Sequence, residues 1–374
     1  MPRIVLFHDD LNALGGAERV CLGFIEVAQE IGLETTLVTT VPPDWNRIRS
    51  IFGRKTMPDS WESLLSGPKR FEKYDRVLMT SLAKRFRRDS VAINTAGCRW
   101  LPVRTEATYE HTPPVTLLTT PRSGVTFRKR VYYAPFDLLQ ISLLRTGRAR
   151  VLTNSRYCAN RLRWSNKPVQ VLYPPVDYEP AEGAGRRKDV VITCGRYDRA
   201  KNYEVVINAA SSLPGLQFVV MGTANSSEAL VYHSKLAKLA ENLHVTNVNF
   251  LQNVPRQSQI ETYRTAKVYL HTTVGEDFGI AAVEAMGSGL IPIVHKSGGL
   301  WEDVIRKGEL GFGYSNVTEA VQAIDTACKG WAELKGRVVA RSKEFGRDVF
   351  TREAAAFMRR LVAKVEHSDI GDLL

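Results

Sequence analysis

Short apolar runs recur along this chain with helical stretches between them. That pattern requires a parallel sheet with helices on both faces, because each strand is buried on two sides and a helix must return the chain to the sheet's starting edge. Residues 4–7 read as the first strand, 18–31 as a helix with apolar residues at helical spacing, and 35–40 as the second strand, completing a βαβ unit. Further strands are expected at 76–79, 91–94, 151–153 and 169–172. The run Tyr173-Pro174-Pro175-Val176-Asp177-Tyr178-Glu179-Pro180 and the Gly- and charge-rich residues after it break the pattern and read as a linker. A second βα series then begins, with strands at 190–194, 216–221, 247–251, 268–271 and 291–294 and helices at 203–212, 228–242, 257–265 and 279–286. The expected fold class is therefore α/β, with two doubly wound Rossmann-like domains and a cleft between their strand C-terminal ends.

A length of 374 residues lets each of two domains bury its own core. With 44% hydrophobic and 24% charged residues the composition is that of a globular chain, which excludes a disordered or low-complexity one. No run reaches the roughly 20 apolar residues of a membrane-spanning helix. Met1-Pro2-Arg3 leads straight into the first strand rather than into a secretory segment, so a soluble cytoplasmic chain is expected. Cys21, Cys98, Cys158, Cys194 and Cys328 lack the paired spacing of a zinc or redox motif and are expected to be reduced core residues. The net charge of +12 favours anionic partners. Its basic clusters, Lys84-Arg85-Phe86-Arg87-Arg88, Arg128-Lys129-Arg130 and Arg145 to Arg150, are interleaved with Phe127, Tyr132, Tyr133 and Phe136. Such a mixture suits an anionic membrane surface, and equally a set of solvated helix faces with inward-turned rings.

Four motifs carry chemistry. Gly275-Glu276-Asp277-Phe278-Gly279-Ile280-Ala281-Ala282-Val283-Glu284-Ala285-Met286 follows a strand and opens a helix, whose free N–H groups can hold an anion while Gly279 lets a ligand approach the backbone. Glu276 and Glu284, with seven residues between them, can accept hydrogen bonds from sugar and ribose hydroxyls. Cys194-Gly195-Arg196-Tyr197-Asp198-Arg199-Ala200-Lys201-Asn202 lies at another strand-to-helix junction, where Arg196 offers a planar fork and Lys201 a point charge to phosphate oxygens. Leu14-Gly15-Gly16-Ala17-Glu18-Arg19 follows the first strand and begins its helix, and Gly15 and Gly16 let the loop pass beside a diphosphate or an acceptor; the absence of Gly-x-Gly-x-x-Gly disfavours a nicotinamide cofactor. His111 ends an apolar approach ahead of Pro113 and Pro114, which enforce an extended loop.

In these motifs the chain resembles the family-4 GT-B retaining glycosyltransferases, especially members similar to the mannosyltransferases that extend lipid-linked oligosaccharides. The family signature of Glu, Phe-Gly, a second Glu, Ala-Met and a small-residue turn matches Glu276, Phe278-Gly279, Glu284, Ala285-Met286 and Gly287-Ser288-Gly289. Val171 to Asp177 resembles the family's hinge, and Lys296-Ser297-Gly298-Gly299 its following Gly-Gly turn.

The resemblance implies catalytic roles for Arg196, Lys201, Glu276 and His111. It implies donor binding by Gly15, Gly16, Asp277, Phe278, Gly279, Ile280 and Glu284, with Glu276 on the transferred sugar and Glu284 on the ribose. It further implies a GDP- or UDP-linked hexose of mannose or glucose type as donor, no cofactor and no metal, and a lipid-linked glycan as acceptor. The protein would sit on the cytoplasmic face of a membrane as a peripheral enzyme with no nucleic-acid partner. Domain bounds expected on this basis are 1–175, a linker at 176–188, a nucleotide-sugar domain at 189–345, and a helix at 346–374 crossing back to the first domain. The same architecture also suits a sugar-nucleotide epimerase or a phosphorylase, although no cofactor lysine for the latter is identifiable. A basic nucleic-acid-binding protein is the non-enzymatic alternative, but no zinc finger or RNA-recognition module is present.

Overall fold

The computed structural model describes residues 3–53, 56–67, 90–97, 103, 105–112, 127–162, 165, 167–178 and 187–371. The expected strand at 76–79, the basic run at 84–88 and Cys98 lie outside the described residues, as do the side chains of Arg128, Lys129 and Arg130. Contacts divide the chain into two units, one holding the described residues up to Pro175 and again from Arg347, the other those from Val176 to Gly346.

The first unit runs β1 (Arg3–Phe7), α1 (Gly16–Glu30), β2 (Glu34–Thr39), α2 (Trp45–Phe52), β3 (Ser60–Ser63), β4 (Ser90–Asn94), β5 (Ala107–Glu110), α3 (Phe127–Thr146), β6 (Arg150–Thr153), α4 (Arg156–Arg161) and β7 (Val169–Val171). Its seven described strands pair in parallel in the order β3-β2-β1-β4-β5-β6-β7, so the strand order reverses between β1 and β4. Central β1 is buried from Ile4 to Phe7, as its continuous apolar run requires. At the edge of the described sheet, β3 has Ser60 and Trp61 exposed, and Ser60-Trp61-Glu62-Ser63 contains no apolar run from which a strand would be expected. The core under α1 is completed by residues more than three hundred positions later. Phe350, Ala354, Phe357 and Met358 join Ile4, Leu6, Val20 and Phe24 in one cluster, where Phe24 meets Phe350 edge-on at 5.5 Å. Each Phe, Leu, Ile, Val or Met side chain in this cluster contributes about 1.5–3 kcal/mol on full burial.

The second unit runs β8 (Lys188–Arg196), α5 (Glu204–Ser212), β9 (Gln217–Thr223), α6 (Ser227–Asn242), β10 (Val248–Gln252), α7 (Arg256–Thr265), β11 (Ala266–His271), α8 (Ile280–Gly287), β12 (Ile291–His295), β13 (Phe312–Tyr314), α9 (Val317–Lys329) and α10 (Trp331–Lys343). The strands pair in parallel as β10-β9-β8-β11-β12-β13, reversing between β8 and β11. Strand β8 begins inside the stretch expected as linker. Lys188 is its first residue, and the buried Arg187 guanidinium donates to the Tyr263 and Ala266 carbonyls at 2.7 and 2.6 Å. The last helix, α11 (Arg347–Gly371), belongs to the first unit, where Arg347 pairs with Glu26 of α1. No helix among the described residues is long and apolar enough to cross a membrane.

Candidate functional site

In the second unit the motif residues gather where the strand order reverses, at the carboxyl ends of β8 and β11, which is where open α/β sheets bind ligands. Arg196 is the last residue of β8 and is exposed; among the described residues its guanidinium makes no hydrogen bond or ion pair. The chain then makes a short turn, Arg199–Lys201, capped by the Asp198 carboxylate on the Ala200 N–H at 2.8 Å. This turn presents Lys201 to Glu276, with Nζ 3.0 Å from Oε2, and Thr272 Oγ1 donates to the Lys201 carbonyl to fix the turn against the loop after β11. His271, the last residue of β11, places Nε2 at 3.1 Å from the same carboxylate oxygen. Burial pushes the Glu276 carboxyl up, but the Lys201 ammonium and the His271 ring outweigh it and hold the carboxyl well below the usual range. Burial also pushes the His271 imidazole down, more than Glu276 raises it. A neutral ring beside an ionised carboxylate must donate from Nε2, since the carboxylate only accepts.

The backbone of this loop is held by the turn after β12. Gly275 N–H donates to Ser297 Oγ at 2.8 Å, Leu300 N–H to the Glu276 carbonyl at 3.3 Å, and Glu276 bridges Gly298. Gly279 caps α8 in the left-handed region at φ 83°, and a Cβ there would stand 2.9 Å from Leu300 Cδ2. The first turn of α8 closes with the Ala282 and Val283 amides on the Gly279 carbonyl, so the Ile280 and Ala281 amides precede any intrahelical partner. Asp277 and Phe278 are buried, Phe278 edge-on to Phe345 at 5.4 Å; Ile280 is half-buried. Glu284, one turn further, is 2% exposed and takes the Arg256 guanidinium of α7 at 2.9 Å.

In the first unit Gly15 is the N-cap of α1, its N–H donating to Glu18 Oε2 at 2.5 Å, and Gly16 is the helix's first residue. The other Glu18 oxygen lies 3.4 Å from Nε2 of His8, just past β1. His8 Nδ1 lies 3.0 Å from Thr95 Oγ1, and that hydroxyl donates to the Phe7 carbonyl at 3.1 Å. Thr95 also offers its carbonyl to His111 Nε2 at 2.6 Å. Gly15 and His111 are thus attached to one chain of hydrogen bonds through Glu18, which ends the Gly-Gly-Ala-Glu run, and through His8 and Thr95, which no motif marked. Burial pushes the His8 imidazole down, but Cys21 and Glu18 beside it raise it to about 10. Burial pushes His111 down to about 4, against the Thr95 carbonyl, so this ring is neutral near pH 7.

Of the residues singled out in the sequence, the second unit holds Arg196, Lys201, Glu276, Gly279 and Glu284 and the first holds Gly15, Gly16 and His111; the contacts add His271, Arg256, His8 and Thr95, which no motif marked, and Glu18 from the Gly-Gly-Ala-Glu run. Of the unmarked residues, His271 carried a local signal, as the last strand residue before the Glu276 loop. Among the described residues no group of three or more His, Cys, Asp or Glu side chains is placed to hold a metal ion.

Two doubly wound parallel-sheet units are the parts of the GT-B architecture, and solved structures of that fold superpose over nearly the whole chain. Sucrose-phosphate synthase from Thermosynechococcus elongatus aligns with a TM-score of 0.77 at 18% identity, covering 97% of this chain and 100% of that one. Anabaena HepE in complex with UDP-glucose aligns with a TM-score of 0.72 at 17% identity, covering 96% and 100%. Residues 177–345 match the family described as glycosyl transferases group 1, and the second unit is a domain of that family. A GDP-Man:Man(3)GlcNAc(2)-PP-Dol alpha-1,2-mannosyltransferase of Dictyostelium discoideum is 21% identical over 263 residues, 63% of this chain and 52% of that protein. Against three such mannosyltransferases the match spans only 38–52% of the relative's length.

Proposed function

We propose that this protein is a retaining, metal-independent glycosyltransferase that moves a hexose of mannose or glucose type from a GDP- or UDP-linked donor to a hydroxyl of a lipid-linked glycan. The observation that carries the reading is the Lys201–Glu276–His271 cluster beside the left-handed cap of α8, with Arg196 exposed at the neighbouring strand end. Arg196 and Lys201 neutralise the diphosphate, and the first amides of α8 add donors at the positive end of a helix dipole. Glu276, kept ionised by its neighbours, accepts hydrogen bonds from the sugar hydroxyls; Glu284 does the same for the ribose. Neutral His111, its Nε2–H held by the Thr95 carbonyl, is left with Nδ1 to accept a hydrogen bond from a donor-sugar hydroxyl. In the step itself the bond from the anomeric carbon to the phosphate oxygen breaks while the acceptor oxygen bonds to the same face. The acceptor proton passes to the departing diphosphate, whose growing charge the two cations stabilise.

The acceptor class follows the mannosyltransferase relatives, whose names specify a dolichyl-diphosphate-linked glycan. Peripheral docking on the cytoplasmic face of an anionic membrane is supported by the exposed Phe127, Val131, Tyr132, Leu138 and Leu139 of α3 together with the +12 charge. The test is a donor panel of UDP-glucose, UDP-galactose, GDP-mannose and GDP-fucose, each with and without a lipid-linked oligosaccharide and with excess chelator. Acceptor-dependent release of nucleoside diphosphate that survives chelation is expected. Isomerised donor without release would instead indicate an epimerase, and a strict magnesium requirement would remove the metal-free step.

A further inference from the structure

Glu284 is a carboxylate in a poor place for one. Its side chain is 2% exposed on a helix otherwise apolar from Ala281 to Met286, and an ionised group so buried needs a charged partner. Arg256, at the start of α7, supplies it, and the same guanidinium reaches two further places. Its Nη1 donates to Glu284 Oε2 at 2.9 Å and to Gln259 Oε1 at 3.2 Å, and its Nη2 donates to the Asp177 carbonyl at 3.0 Å. Gln259 in turn donates to Cys194 Sγ at 3.0 Å, two residues before Arg196 at the end of β8. One planar fork therefore ties Glu284 to the opening segment of the second unit and, through Gln259, to the strand that carries Arg196. A lysine could keep the charge but not this geometry, because its single ammonium lacks the fixed fork.

We infer that Arg256 is a positioning residue that sets the Glu284 carboxylate for the ribose hydroxyls of a nucleoside diphosphate. This rests on the ribose role proposed above for Glu284. Without Arg256 the carboxylate loses its guanidinium partner, and the gain from ribose hydroxyls falls while contacts to base and diphosphate persist.

The experiment measures binding of UDP, GDP and their 2′,3′-dideoxy counterparts by calorimetry to the full chain and to its Arg256→Ala, Arg256→Lys, Glu284→Gln and Arg256→Ala/Glu284→Gln variants, with melting temperatures alongside. In the unaltered protein the dideoxy nucleotide should bind about tenfold more weakly, equivalent to about 1.4 kcal/mol. That preference should shrink to about twofold in Arg256→Ala and in Glu284→Gln, with no further loss in the double variant, and Arg256→Lys should fall between. Equal weakening of normal and dideoxy nucleotides in Arg256→Ala and in Arg256→Lys would mean a scaffold role only and would overturn the inference. Full ribose preference in both Arg256 variants beside its loss in Glu284→Gln would overturn it while leaving the ribose role of Glu284 standing. Full preference in Glu284→Gln would remove that role and the inference with it.

Discussion

Individual side chains in this protein are distinguished less by what they are than by what neutralises them. Lys201 is already engaged with Glu276, so its charge is held in place before any ligand arrives rather than recruited from solvent. Replacing Lys201 or Arg196 with Ala should lower the transfer rate by roughly 10²–10³, or about 2.7–4 kcal/mol, as loss of a donor that stabilises a growing negative charge does elsewhere. Single-turnover rates would measure this, and unchanged rates would exclude a role for that cation in stabilising the leaving group. His8 gives a separate prediction about stability. Its folded value of about 10 lies above the ordinary histidine value, so between the two the folded protein holds a proton that the unfolded chain has released. The stabilisation is complete below about pH 6.5 and is lost as pH rises through 10. The melting-temperature gap between the native sequence and His8→Gln should therefore narrow from pH 6 to pH 10; a constant gap would exclude a charged His8.

Among the elements, the loop between β11 and α8 depends on three glycines for different reasons. Gly275, Gly279 and Gly298 all have positive φ, at 70°, 83° and 87°. A Cβ on Gly275 meets nothing within 4 Å, one on Gly279 meets a flexible Leu300 side chain, and one on Gly298 meets the Glu276 carbonyl oxygen at 2.3 Å. Alanine should therefore cost about 1 kcal/mol at Gly275 from left-handed strain alone. It should cost more at Gly279 and most at Gly298, where backbone must move and Glu276 moves with it. Thermal melts of the three variants, with nucleotide binding measured in parallel, test the order. What the sequence disclosed follows the same logic of distance. The Glu276–Glu284 loop and the Arg196–Lys201 turn are each contiguous, so each stood out as a motif in one stretch of sequence. His8 and Thr95 meet only because β1 pairs β4 with Phe7 opposite Asn94, a strand order that alternation of strands and helices leaves open. The pairing of Arg256 with Glu284, on separate helices, was hidden for the same reason, and short or polar strands such as β3 carry no apolar run to read.

At the scale of the whole molecule, the second unit is drawn from one stretch of chain while the first is assembled from two. Removing residues from 347 onward should expose Phe24, Val20 and Leu6, so a protein truncated at Gly346 is expected to be insoluble or to lose its first-unit melting transition, while residues 176–346 made alone should retain theirs. Calorimetry on both fragments would decide it, and a soluble truncated protein with both transitions intact would refute the expectation. The pairing of Arg347 with Glu26 bridges 321 positions in the sequence, which sets a timetable as well as a structure. On a ribosome adding about 5–20 residues per second, α1 emerges tens of seconds before the helix that covers it. During that interval the nascent chain carries an uncovered apolar helix face while the second unit is still being made. The half of the protein translated first is thus the half that finishes folding last, and its yield in a cell should depend on chaperone capacity more than its final stability would suggest.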